Sequence, residues 1–104
     1  MKPPAVKYHD SLIQALRDPE EASGYLNAAL EEGDKDLFLV ALRNVIEAQG
    51  GMTRLARAAK LNRVSLYKML GNNGNPGFES ILKVLNAAGV RFQILPTKSH
   101  RKAA

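Results

Sequence analysis

Cysteine and tryptophan are both absent from the 104 residues. Without a thiol there is no disulfide, no thiolate metal ligand and no cysteine nucleophile. Aromatic residues are scarce, with three Tyr and three Phe. Long hydrophobic runs are missing too: the longest, Leu37 to Leu42, has six residues, whereas about 20 are needed for a helix to cross a bilayer. Lys2, Pro3 and Pro4 are not followed by an apolar stretch, so no secretory signal is expected and a cytoplasmic location is. Histidine occurs only at His9 and His100. Neither is spaced from a second histidine or a carboxylate pair as a metal ligand or acid–base partner would be, and both are expected to be exposed bystanders. Gly71 to Gly77 is glycine-rich, yet no strand precedes it and no Gly-Lys-Ser/Thr follows, which excludes a phosphate-binding loop. Neither an enzyme nor a cofactor is expected.

What is present suits one small helical domain. A chain of this length with 45% hydrophobic residues buries a modest single core. Its net charge of +5 is divided unevenly. Met1 to Gly51 carries five basic and nine acidic residues, and Met52 to Ala104 carries ten basic residues and one acid, Glu79. Two halves of opposite sign suggest two different partners, and the basic half suits the polyanion nucleic acid.

Met1 to His9 is expected to be a flexible, extended arm, followed by a short helix capped at Asp10 or Ser11 with Leu12, Ile13 and Leu16 on its apolar side. Asp18-Pro19-Glu20-Glu21 is a helix start: aspartate caps free N–H groups, proline suits the first helical position and glutamates favour the N-terminus. Tyr25, Leu26, Ala29 and Leu30 then share one side, and Gly33 ends that helix. Lys35 to Gln49 is the most apolar segment, with Leu37, Phe38, Ala41, Leu42, Val45 and Ile46 on a broad face that Leu39 and Val40 widen, the mark of a helix that is central or sits at a subunit interface. Gly50-Gly51 closes it. Two short helices, Thr53 to Lys60 and Arg63 to Leu70, precede the Gly71 to Gly77 loop. Phe78, Ile81, Leu82, Leu85 and Ala88 then repeat with helical period up to Gly89.

Val90 to Leu95 alternates apolar and polar residues as a half-buried strand does, and no second strand is found for it to pair with. It is expected to pair antiparallel with its copy across an isologous homodimer through Val90, Phe92 and Ile94, with part of the preceding helix. Residues 97–104 read as a frayed basic tail. The fold expectation is therefore all-α, five or six short helices over residues 10–96, plus one C-terminal strand.

The informative part is Met52 to Leu70. Two helices crossing closely need a small residue inside the first, which Ala56 supplies. Apolar anchors come from Leu55, Ala59 and Leu61, and the inner side of the second helix from Leu66, Met69 and Leu70. Arg63, Val64, Tyr67 and Lys68 remain outward on one face, as residues that read base edges from the major groove would. Thr53 is expected to cap the first helix and, with Arg54 and Arg57, to contact backbone phosphate. Asn62, Ser65, Asn72 and Asn73 are further candidates for phosphate contact.

These residues also carry a resemblance. Lys60-Leu61-Asn62-Arg63-Val64-Ser65-Leu66-Tyr67-Lys68-Met69-Leu70 followed by Gly74-Asn75-Pro76, together with the segments from Asp18 to Gly33 and from Phe78 to Val90, resembles the addiction-module antidote proteins with a Cro/C1-type (lambda repressor-like) helix-turn-helix, the HigA-like antitoxins. The resemblance spans roughly Tyr8 to Leu95. It implies a DNA-binding antitoxin that neutralises a small basic RelE/HigB-like toxin and represses the shared operon as a dimer. On that reading Arg63, Val64, Tyr67 and Lys68 face the bases. One departure stands out: Lys60 occupies a turn position that usually holds glycine and often has positive φ. Glu20, Glu21, Glu31, Glu32, Asp34 and Asp36 are candidates to face the toxin. A stand-alone phage-type repressor without a toxin partner would use the same recognition helix and remains open.

Overall fold

The most apolar helix organises the rest. In a computed structural model, which describes residues 4–97 and side chains from Val6 onward, six helices run in the order α1 (Pro4–Ala15), α2 (Pro19–Glu31), α3 (Lys35–Ala48), α4 (Met52–Ala59), α5 (Arg63–Leu70) and α6 (Phe78–Ala87). Helix α3 packs against α1, α2, α4 and α5, and α6 closes over α4. Its face of Phe38, Leu39, Ala41, Leu42, Val45 and Ile46 is buried, with Leu42 and Val45 wholly so. Burying the five larger of these side chains, each worth about 1.5–3 kcal/mol, makes α3 the centre of the core. Leu37 and Val40 lie at its edge, each about two-fifths exposed.

Local chemistry sets the helix ends. The Asp18 carboxylate accepts from the Glu20 N–H at 3.0 Å, with Pro19 at the first helical position. Asp34 repeats the device, accepting from Asp36 N–H at 2.9 Å and Leu37 N–H at 3.3 Å. Both carboxylates answer amides that would otherwise lack a partner. At the end of α3, Gly50 and Gly51 take φ of 110° and 95°, and the Gly51 N–H returns to the Ile46 carbonyl at 2.9 Å. Left-handed backbone there turns the chain sharply into α4. The Tyr25 hydroxyl accepts from Asn44 Nδ2 at 2.9 Å, tying α2 to α3.

Two expectations are corrected. The extended arm over residues 1–9 is helical from Pro4 onward; residues 1–3 lie outside those described. Proline fits the first helical turn because its fixed φ suits the helix and its missing N–H has no partner there. The helix then lies along α3, where His9 Nε2 stands 3.3 Å from both Glu47 carboxylate oxygens. His9 is thus exposed but engaged across helices. The strand expected over Val90 to Leu95 does not form: residues 90–97 follow α6 with no regular secondary structure. An isolated strand has no ladder to join, and among the described residues there is no second one. Instead the Val90 N–H folds back onto the Leu85 carbonyl at 3.0 Å, and the Phe92 ring stacks on Phe78 with centroids 5.9 Å apart. Residues 98–104 of the expected basic tail, including His100, lie outside the described residues. No helix among the described residues is long and apolar enough to cross a membrane.

Candidate nucleic-acid interface

Helices α4 and α5 pack on each other across a three-residue turn, 60–62. The crossing is built as the side-chain sizes demand. Leu55, Ala56, Ala59, Leu66 and Leu70 are buried, with Leu61 and Met69 half-buried beside them. Ala56 sits where a larger side chain would hold the helices apart.

The turn itself is strained. Lys60 adopts φ 59° and ψ 44°, the left-handed conformation the sequence pointed to. Its N–H bonds to the Arg57 carbonyl at 3.2 Å, and the Leu61 N–H reaches the Ala56 carbonyl at 2.9 Å. These two bonds satisfy the Ala56 and Arg57 carbonyls in the last turn of α4 and turn the chain so that Leu61 packs on the core. Asn62 then starts α5, its side-chain oxygen accepting from the Ser65 N–H at 3.0 Å. That oxygen is occupied by the cap; the amide N–H2 of exposed Asn62 points to a different role as donor.

On the outer side, Arg63, Val64, Tyr67 and Lys68 are all exposed and share one face of α5. The Arg63 guanidinium lies 5.5 Å from the centre of the Tyr67 ring, one helical turn on. This contact draws the long Arg63 side chain along the helix instead of leaving it free. Val64, next in the chain to Arg63, is 63% exposed. Thr53, Arg54 and Arg57 are exposed on α4. Thr53 is not the cap: α4 begins at Met52, and Gly51 precedes it with no side-chain cap. The glycine pair shifts the helix start two residues earlier than a threonine cap would. Asn72 and Asn73 are exposed in the loop after α5, Asn73 with φ 62°.

From Met52 to Gly77 the sequence holds five cations and no acid. The first acid beyond, Glu79, pairs with Lys83 at 3.3 Å. Among the described residues none of Arg54, Arg57, Lys60, Arg63 and Lys68 enters an ion pair, so their positive field points outward. A surface of this kind attracts phosphate without reading sequence, while the α5 face offers donors and an apolar contact to base edges.

Two contributors escape a reading of the sequence. Arg43 of α3 donates to the carbonyl of Leu70, the last residue of α5. Its one signal is position: a lone cation at the margin of a buried stripe, four residues after Leu39. Gly74 is buried, and a Cβ there would stand 2.0 Å from the Met69 carbonyl oxygen. The loop therefore folds back against the last turn of α5 only because residue 74 has no side chain. The three expected dimer residues are not brought onto one open face. Val90 is half-buried against the core, Phe92 stacks on Phe78, and Ile94 alone is fully bare at 94% exposure.

A family model described as "Probable addiction module antidote protein" matches residues 7–96. An uncharacterized protein of Haemophilus influenzae is 39% identical over 83 residues, covering 80% of this chain and 84% of that protein. No solved structure matches the chain.

Proposed function

Since the chain belongs to the probable addiction module antidote protein family, we propose that it is a DNA-binding antitoxin that neutralises a RelE/HigB-like toxin and represses its own operon. An antidote implies a toxin partner. The DNA-binding part of the proposal rests on α4 and α5 acting as a Cro/C1-type helix-turn-helix. The observation that carries it is the single outward face of Arg63, Val64, Tyr67 and Lys68 on a short helix pair with five cations and no acid. In that role α5 enters the major groove, and its side chains meet base edges. Arg54 and Arg57 on α4, with Thr53 beside them, hold the phosphate backbone. Ser65 in the first turn of α5 and Asn62, Asn72 and Asn73 flanking that helix are assigned to phosphate or sugar.

A symmetric operator needs two copies about 34 Å apart, and a homodimer is part of the proposal. Without a strand to pair, the dimer face is assigned to Phe78 and Leu82, one turn apart on α6, with Phe92 stacked on Phe78. Phe78 is 69% and Leu82 39% exposed, and neighbouring exposed apolar side chains of this kind mark a surface a second copy can cover. The proposed location is the cytoplasm, where operator and toxin target both lie.

The test is a titration of the purified protein against DNA from immediately upstream of its gene. A scrambled duplex serves as control, at two salt concentrations, with and without the product of the neighbouring gene. Preference for the native duplex, altered by that product, supports the antitoxin-repressor. Preference unaffected by it means a stand-alone repressor. Equal weak binding to both duplexes overturns the groove assignment.

A further inference from the structure

Away from α4 and α5, helix α2 and the segment after α6 enclose a cleft of about 960 Å³. One wall is a helical stripe in which Glu20, Ser23, Asn27 and Glu31 follow at spacings of three and four, with Leu26 and Leu30 alongside. The facing wall is residues 90–95, ending in bare Ile94 and Leu95. Phe38 and Leu85, both buried, form the floor. Leu30 on one rim is 42% exposed and Ile94 on the other 94%. Aliphatic side chains left bare on both rims of one groove are the pattern of a binding surface, unlike single exposed residues scattered over a protein.

Charge selects the occupant. The α2 stripe begins and ends on a carboxylate, Glu20 and Glu31, about 16 Å apart at 1.5 Å per helical residue. Asp18, Glu21, Glu32, Asp34 and Asp36 extend the same sign around both ends of α2, five acids against Arg17 and Lys35. Among the residues lining the cleft Arg91 is the one cation, and it sits on the opposite wall. We infer that this cleft docks a basic amphipathic helix of the module's toxin. Its apolar side enters between Leu30 and Ile94, and a Lys or Arg near each end meets Glu20 and Glu31. This is the helix-in-groove mode of recognition, and it rests on the antitoxin reading. No residue of α4 or α5 lines the cleft, so toxin docking and groove reading use separate side chains.

The experiment is a calorimetric titration of the full chain with the protein encoded beside its gene as probe. Three double variants are compared with wild type: Leu30→Glu with Ile94→Glu, Glu20→Lys with Glu31→Lys, and Arg63→Ala with Lys68→Ala. All six side chains are exposed, and circular dichroism verifies that each variant folds. The two cleft variants are expected to weaken probe binding tenfold or more, and the α5 variant to leave it unchanged. The loss from charge reversal should shrink as salt rises. If wild type binds the probe and both cleft variants bind it equally well, the docking assignment is overturned while the antitoxin reading stands. If wild type does not bind the probe, that reading fails and takes the docking assignment with it. If Leu30→Glu with Ile94→Glu instead splits a dimer in light scattering and leaves probe affinity intact, the cleft belongs to a second copy and the assignment is overturned.

Discussion

Arg43 of α3 donates a hydrogen bond to the backbone carbonyl of Leu70, which closes α5. A cation at a helix C-terminus answers both the unpaired carbonyl and the negative end of the helix dipole. The bond fastens the proposed recognition helix to the most deeply buried helix of the fold. Replacing Arg43 with methionine keeps the aliphatic stem and removes the donor. The expected cost is about 1–3 kcal/mol of stability. Chemical denaturation measures that loss, and hydrogen exchange should show faster opening of the last amides of α5 than of α2.

Two glycines should respond to alanine with opposite signs. Gly24 lies within α2, and a Cβ there meets nothing within 4 Å. Alanine is the better helix former by about 0.5–1 kcal/mol, so Gly24→Ala should raise the melting temperature. At Gly74 the added carbon would fall 2.0 Å from the Met69 carbonyl oxygen and 2.9 Å from that of Gly71. Backbone must move to admit it, and Gly74→Ala should destabilise by at least about 1–3 kcal/mol. Thermal melts of the two variants side by side test the pair, and a neutral Gly74→Ala would contradict the tight return of the loop.

Much of this arrangement is legible in the sequence because the deciding interactions are local. Asp18 and Asp34 cap helices from two or three residues away, and Gly50-Gly51 supplies positive φ where a helix must stop. The spacing of Ala56, Leu66 and Leu70 fixes which sides of α4 and α5 face inward, so Arg63, Val64, Tyr67 and Lys68 emerge outward by elimination. What the sequence hides is long-range. Arg43 finds Leu70 across 27 positions, and the cleft joins α2 to residues 90–95. Residues 4–9 become helical against α3 despite two early prolines. The alternation of Val90 to Leu95 promised a strand, yet alternation records only which side chains seek burial. Val90 packs half-buried against the core and Phe92 stacks on Phe78, both without a ladder.

The proposed DNA contacts separate by their salt dependence. Arg57→Ala, on α4, should weaken binding to operator and scrambled duplex alike and lower the slope of log affinity against log salt by about 1. Arg63→Ala should cost roughly 1–3 kcal/mol on the operator and little on the scrambled duplex. Tyr67→Ala removes the ring that supports the Arg63 guanidinium at 5.5 Å. It should reproduce part of the Arg63→Ala loss, and the two losses should not add in the double variant. Fluorescence anisotropy across a salt series measures all three. Full additivity would mean that Tyr67 acts on the DNA independently of Arg63.

Lys60 joins stability and binding with opposite signs. Its left-handed backbone, φ 59° and ψ 44°, costs a residue with a side chain of order 1 kcal/mol relative to glycine. Lys60→Gly relieves that strain, although the more flexible unfolded chain returns part of the gain. The net expectation is a stabilisation of up to about 1 kcal/mol, read as a higher melting temperature. Lys60→Val, β-branched at the same φ, should lower it instead. Lys60 is also an exposed cation between α4 and α5, so losing it should weaken DNA binding and flatten the salt dependence in both variants. A Lys60→Gly protein that melts higher and binds DNA less tightly would show that lysine is held in this turn for its charge, against the preference of the backbone. If the same variant melts higher and binds as well as wild type, Lys60 makes no phosphate contact, and the basic surface ends at Arg57 and Arg63.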